Sequence, residues 1–132
     1  MSSVLKLAVA VIRDDQDRML VVRKSGTKAF MQPGGKIDTG ETAPQALSRE
    51  LEEELGLRVA TDELVYMNTV DAIAANEPDT HVEAEVFSVP TRNWPVFKLT
   101  AEIEEAKWAA RDEQLTLAPL TKEKIMPMLW PQ

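Results

Sequence analysis

The sequence predicts an α/β (α+β) fold: a mixed sheet with helices packed on its faces. Three observations predict it. Short stretches rich in Val, Ile and Leu, several with period-two alternation, stand on both sides of the chain's middle. Between them lies one long stretch with helical period. Some strands are close enough in sequence to pair locally, while others bracket the helix and need a crossover.

The elements follow in order. Residues 4–13 and 19–23 read as two strands, with "RDDQDR" as the turn between them. "DDQDR" is not an EF-hand loop, since it lacks the central glycine and a closing glutamate. "KSGTKAFMQPGGK" reads as a loop, with Pro33-Gly34-Gly35 as its breaker. A helix is predicted over 43–55. Thr42 is its N-cap and Gln45 completes a capping box. Pro44 falls in the first turn, where its missing N–H costs nothing. Leu47, Leu51 and Leu55 form the buried stripe, and Gly56 is placed to end the helix in the left-handed conformation. Residues 63–74 and 81–89 read as strands joined by a hairpin loop at "NEPDT". "TRNWPVFKLTAEIEEA" reads as an irregular connection, 107–110 as a short strand, and "TKEKIMPMLW" as a helix from about Thr121, broken or shortened by Pro127.

Composition narrows the function classes. At 132 residues, residues 1–132 are expected to form a single domain. A net charge of −7 disfavours broad binding to nucleic acid polymers or anionic membranes. The absence of cysteine removes disulfides, thiolate metal sites and cysteine nucleophiles, in keeping with a cytoplasmic location. No apolar run is long enough to span a bilayer. "LKLAVAVI" contains an Ala-x-Ala, but Lys6 interrupts it and no basic segment precedes it, so a cleaved signal is not expected. His81 stands alone, which argues for a structural or hydrogen-bonding role. Trp108 is expected to pack the core, while Trp94 and Trp130, beside prolines, either cap it or form a homodimer contact.

The chemistry concentrates in the helix. Glu50, Glu53 and Glu54 stand at i, i+3 and i+4, so their carboxylates share one side, and Glu52 points elsewhere to solvent. Converging carboxylates want a counter-charge, and a hard divalent cation, Mg²⁺ or Mn²⁺, suits oxygen ligands. Arg49 is positioned to pair with Glu53. Solvated acidic faces are the common alternative. The surroundings sharpen this reading. From Gly35 the chain runs through five residues to Glu41, then seven to Arg49-Glu50-Leu51-Glu52-Glu53-Glu54-Leu55-Gly56-Leu57. Residues 35–57 thus resemble the Nudix box, G-x5-E-x7-R-E-U-x-E-E-x-G-U with U aliphatic, at every specified position. "PGGK" before the helix and "AEIEEAKWA" after it extend the resemblance over roughly residues 4–110.

That resemblance implies an α/β/α sandwich with a mixed central sheet, and a set of roles. Glu50, Glu53 and Glu54 would ligate Mg²⁺ (Mn²⁺ in its place), with the main-chain carbonyl of Gly35. Arg49 would orient a catalytic glutamate, and Glu41 would hold loop to helix. A later carboxylate, Glu102 or secondarily Glu105, would be a further ligand or the general base. Arg23, Lys24, Lys28, Phe30 and Met31 are candidates to touch a nucleotide substrate, surface cations and loop packing being the alternatives. The implied reaction is hydrolysis of a phosphoanhydride in a nucleoside diphosphate derivative, foremost a (deoxy)nucleoside triphosphate releasing pyrophosphate. ADP-ribose or nucleotide-sugar hydrolysis and a non-catalytic nucleotide sensor are the alternatives. The segment "LTKEKIMPML" has no asparagine like the one MutT uses for oxidised guanine, so specificity for 8-oxo-dGTP is not expected.

Overall fold

A computed structural model describes residues 3–74, 78–100 and 102–130. Strand β1 (Ser3–Ile12) is central to a four-stranded mixed sheet. It pairs in parallel with β5 (Thr80–Val89) over its whole length and antiparallel with the short β3 (Gly34–Lys36). β4 (Val65–Ile73) closes the order β3-β1-β5-β4 by antiparallel pairing with β5. With both flanks of β1 taken, β2 (Met19–Lys24) joins it only through the Arg13–Met19 bridge and forms a second, antiparallel sheet with β6 (Ile103–Ala109). Asp14 holds the diverting turn by accepting from the backbone N–H groups of Gln16 and Arg18 at 3.0 and 2.8 Å.

Alternation along β1 supplies two cores, as a fully buried strand requires. Ala8, Ala10 and Ile12 pack with Leu47, Leu51 and Leu55 of α1 (Ala43–Leu55). Val9 and Val11 face the other way, against Leu120, Ile125 and Trp130 from the C-terminal segment. The predicted capping box is present: Thr42 Oγ1 accepts from Gln45 N–H at 3.2 Å, and Gln45 Oε1 from Thr42 N–H at 2.9 Å. Gly56 ends the helix at φ 68°.

Four boundaries depart from the sequence expectations. Gly34–Lys36, read as loop, is strand β3, because the free flank of β1 accepts it despite the glycines. β6 begins at Ile103 and ends at Ala109, although 103–106 had no strand signature. Its Glu104 and Glu105 have low strand propensity, and pairing with β2 overrides that. Residues 61–63 form a 3-10 turn, so β4 starts at Val65 and not at Glu63. The C-terminal helix starts at Leu120 and runs past Pro127: Leu120–Ile125 adopts the wider π turn, with Met126 N–H donating to Thr121 C=O, and α2 (Met126–Leu129) follows. The wider turn takes up the strain of a proline that can neither donate nor clear the preceding carbonyl. The expected hairpin loop between β4 and β5 lies partly outside the described residues.

Among the aromatic residues, Trp108 and Trp94 pack against the α1-side core, and Trp108 lies 6.0 Å from Phe97. Trp130 is 8% exposed and donates from Nε1 to Asp17 at 2.9 Å, so both proline-flanked tryptophans serve the core. His81 is exposed on β5.

Candidate active site

α1 places its acidic residues at different depths. Glu54 is 2% exposed, although a carboxylate is almost never that buried without a partner. Its Oε1 accepts from Gly34 N–H at 3.2 Å. Burial, reinforced by the neighbouring charges of Glu50 and Glu102, pushes its pKa up to about 8, against the pull of Gly34 N–H and Lys24. Glu50 is half-buried, and desolvation raises its pKa against the pull of Arg49. Glu53 stands at the rim with an exposed side chain. Glu52 is exposed too, 3.7 Å from Arg58.

Two glycines let β3 lie close to its neighbours, Gly34 against β1 and Gly35 against the helix. A Cβ on Gly34 would lie 2.2 Å from the Ala8 carbonyl oxygen, and its φ of 141° already excludes ordinary side chains. A Cβ on Gly35 would lie 2.6 Å from Glu50 Cδ. The carboxyl of Glu50 thus rests on bare backbone.

Arg49 ties this cluster to the loop before the helix. Its Nε and Nη2 donate to the two oxygens of Glu41 at 2.7 and 2.9 Å, a bidentate fork. Its Nη1 reaches Glu50 at 2.9 Å and Glu53 at 3.3 Å. The Glu41 bonds hold the guanidinium well above its usual pKa, and Arg49 with the Asp38 N–H lowers that of Glu41 to about 2. Asp38, 3.3 Å from Arg49 Nη2, completes the ring; sequence reasoning missed it, though its Asp-Thr-Gly-Glu context is a turn signature.

The segment after β5 supplies the remaining carboxylate. Lys98 N–H donates to Leu55 C=O at 3.0 Å and Thr100 N–H to Glu54 C=O at 3.4 Å, which satisfies carbonyls at the helix end. The chain then turns into β6 with Glu102 at its mouth, where Lys24 Nζ lies 3.5 Å from its carboxylate. Glu105 is engaged further along, 3.3 Å from Arg23. Arg23 also donates to Glu104 at 2.7 Å and to Thr27 C=O at 2.8 Å, and it lies 5.9 Å over the Phe30 ring. Phe30 is itself 8% exposed, and Lys28 is exposed on the same loop.

The charge of Glu102 therefore reaches both Glu50 and Glu54, and that of Glu50 reaches Glu54. As the side chains stand, no three acidic or histidine groups among the described residues close into a metal cage, and Glu50 and Glu102 are paired with Arg49 and Lys24. The donors are nonetheless all oxygen, crowded and partly desolvated, and that chemistry fits a hard divalent cation. Gly34 and Gly35 also border a cavity of about 140 Å³ with largely apolar walls from Leu5, Leu7, Val9 and Val82, and Lys24 and Lys36 are also among the residues that line it. Sequence reasoning did not find this cavity, because its walls come from strands far apart in the chain.

The model of the NUDIX domain matches residues 5–129. The chain belongs to the Nudix family. Nudix hydrolases cleave phosphoanhydrides and generally use divalent metal ions. Among curated relatives, a MutT-like protein of Streptomyces ambofaciens is 38% identical over 73 residues, 54% of this chain and 47% of that one. An 8-oxo-dGTP diphosphatase of Proteus vulgaris is 36% identical over 89 residues, 64% of this chain and 75% of that one. Against the first of these the Nudix match spans only about half the relative's length. The MutT protein of Methanosarcina mazei has the same fold, with a TM-score of 0.75 at 21% identity over 97% of this chain and 94% of that one.

Proposed function

We propose that this chain is a Mg²⁺-dependent hydrolase of nucleoside diphosphate derivatives, foremost a (deoxy)nucleoside triphosphate cleaved to monophosphate and pyrophosphate. The observation that carries the reading is the shared border: the carboxylates of Glu50 and Glu54 meet Gly35 and Gly34, and those glycines line the apolar cavity. A nucleoside in that cavity would lay its phosphates across Gly34 and Gly35, beside Lys24 and Lys36. The reading takes residues 1–132 as one functional unit.

Glu50, Glu53, Glu54 and Glu102, with the carbonyl of Gly35, would hold Mg²⁺ or Mn²⁺. Such an ion neutralises phosphate oxygens and acidifies water. The chain's own residues do the rest. Arg49 fixes the rotamers of Glu50 and Glu53 from the Glu41 side. Glu102, with Glu105 second, is the carboxylate that takes the proton of the attacking water. Lys24 balances Glu102 until substrate arrives, and Arg23 and Phe30 hold the loop that carries it, with contact to substrate at their outer edges. This small nucleotide, not a polymer or a membrane, is the partner the site suits, in a cytoplasmic setting.

The deciding experiment incubates the protein with Mg²⁺ or Mn²⁺ and nucleoside triphosphates, 8-oxo-dGTP, ADP-ribose, dinucleoside polyphosphates and NADH, and identifies products by ³¹P NMR. Release of pyrophosphate from one triphosphate class is the expected result. Tight nucleotide binding with no turnover would overturn it in favour of a sensor.

A further inference from the structure

Strand β6 does not keep one alternation along its length. Trp108 and Ala106 pack on the α1-side core, and regular alternation would put Glu104 next on that face. Ile103 takes the place instead and is 2% exposed. The pairing register gives the reason. Arg23 pairs with Glu105 but Lys24 pairs with Ile103, so Glu104 is an extra residue, a β-bulge. Without the bulge Ile103 would turn out of the core, and Glu102 beside it would change sides as well. The bulge therefore decides where the Glu102 carboxylate goes.

A bulge built on adjacent glutamates sets like charges side by side in a strand they do not favour. Arg23 answers both. Its Nη1 donates to Glu104 at 2.7 Å and its Nη2 to Glu105 at 3.3 Å, so the guanidinium straddles the extra residue. Nη1 also donates to Thr27 C=O at 2.8 Å, and the side chain is only 21% exposed, which sets it apart from a lone surface ion pair. Just beyond the bulge, Ser25 N–H donates to Glu102 C=O at 2.9 Å.

We propose that Arg23 is a positioning residue: it clamps the bulge at Glu104 and so fixes the register that delivers Glu102 to the carboxylate cluster. The inference rests on the hydrolase reading above and adds how its later carboxylate is held in place. In this role Arg23 acts through Glu102 and not through substrate.

The test joins a double-mutant cycle to amide hydrogen exchange, both on the full chain. With Mg²⁺ and a triphosphate that the protein turns over, Arg23→Gln is expected to lower kcat about 10- to 100-fold while KM stays within about twofold. In a Glu102→Gln background the same change should cost almost nothing, because the group it positions is gone. Arg23→Lys keeps the charge without the fork and should fall nearly as far as Arg23→Gln. In exchange, Arg23→Gln should speed the Ser25 amide about tenfold or more, and leave the Val22 amide, which donates to Met31 C=O, as in wild type. Full activity in the lysine variant, effects that simply add in the cycle, or a loss confined to KM would each overturn the proposal. So would a Ser25 amide that Arg23→Gln leaves untouched. Exchange needs no substrate. A chain that hydrolyses no nucleotide yet loosens at Ser25 in Arg23→Gln therefore sinks the hydrolase reading and leaves the clamp standing.

Discussion

Glu54 holds its position against its own electrostatics. Its folded-state pKa of about 8 lies above the ordinary 4.5, so the folded state binds the extra proton between those values. Stability from this group is fully present below about pH 4.5 and is lost as pH rises through 8, by an amount on the order of a few kcal/mol. Glu50 shifts in the same direction. Glu41 acts oppositely and in a separate window, with stability lost as pH falls from 4.5 toward 2. Without divalent ions, the melting temperature is therefore expected to decline between about pH 5 and 8. Glu54→Gln, which still accepts from Gly34, should flatten that decline and abolish turnover; an unchanged pH profile in the variant would show that Glu54 is not its source. Arg49→Lys keeps the charge and loses the fork. It should cost about 1–2 kcal/mol in denaturant unfolding and lower kcat more than KM. These residues were legible in the sequence because helical spacing alone brings Glu50, Glu53 and Glu54 to one side. Depth was not legible: nothing in "RELEEEL" says that Glu54 is buried while Glu53 lies open, since that depends on where β3 passes.

Between elements, the contact that matters is α1 against β3. Gly35→Ala puts a methyl where the Glu50 carboxyl sits, and a flexible side chain can move away. The variant is expected to melt within a few degrees of wild type yet lose most of its activity, as a thermal scan beside an assay would reveal. Gly34→Ala meets rigid backbone instead and should yield little folded protein. Thr42→Ala removes the N-cap bond and should lower stability by about 1 kcal/mol, read from urea unfolding. α1 was predicted to the residue because cap, proline, leucine stripe and terminal glycine all agree. β3 and the first half of β6 were hidden, since each is a strand only by virtue of its partner. "GGK" has no strand propensity, and "IEEA" pairs with β2 while its acidic side chains reach Arg23.

For the whole molecule, a net charge of −7 and the proposed nucleotide substrate of like sign require a local reversal of field. Mg²⁺ is therefore expected to raise the melting temperature in a concentration-dependent way above pH 7, and chelation to remove both that gain and the activity. A melting temperature indifferent to Mg²⁺ would remove the metal from the reading. No helix among the described residues is long and apolar enough to cross a membrane. The stretch from Pro90 to Thr100, irregular along its length, matters more than its lack of regular structure suggests. By donating Lys98 and Thr100 N–H groups to the last carbonyls of α1, it buckles two distant parts of the chain together like a belt. The helix that presents Glu54 and the segment running toward Glu102 thus share one anchorage. Val96, which is 94% exposed, is the open outer face of that belt, while Trp94 and Phe97 on either side of it pack on the α1-side core.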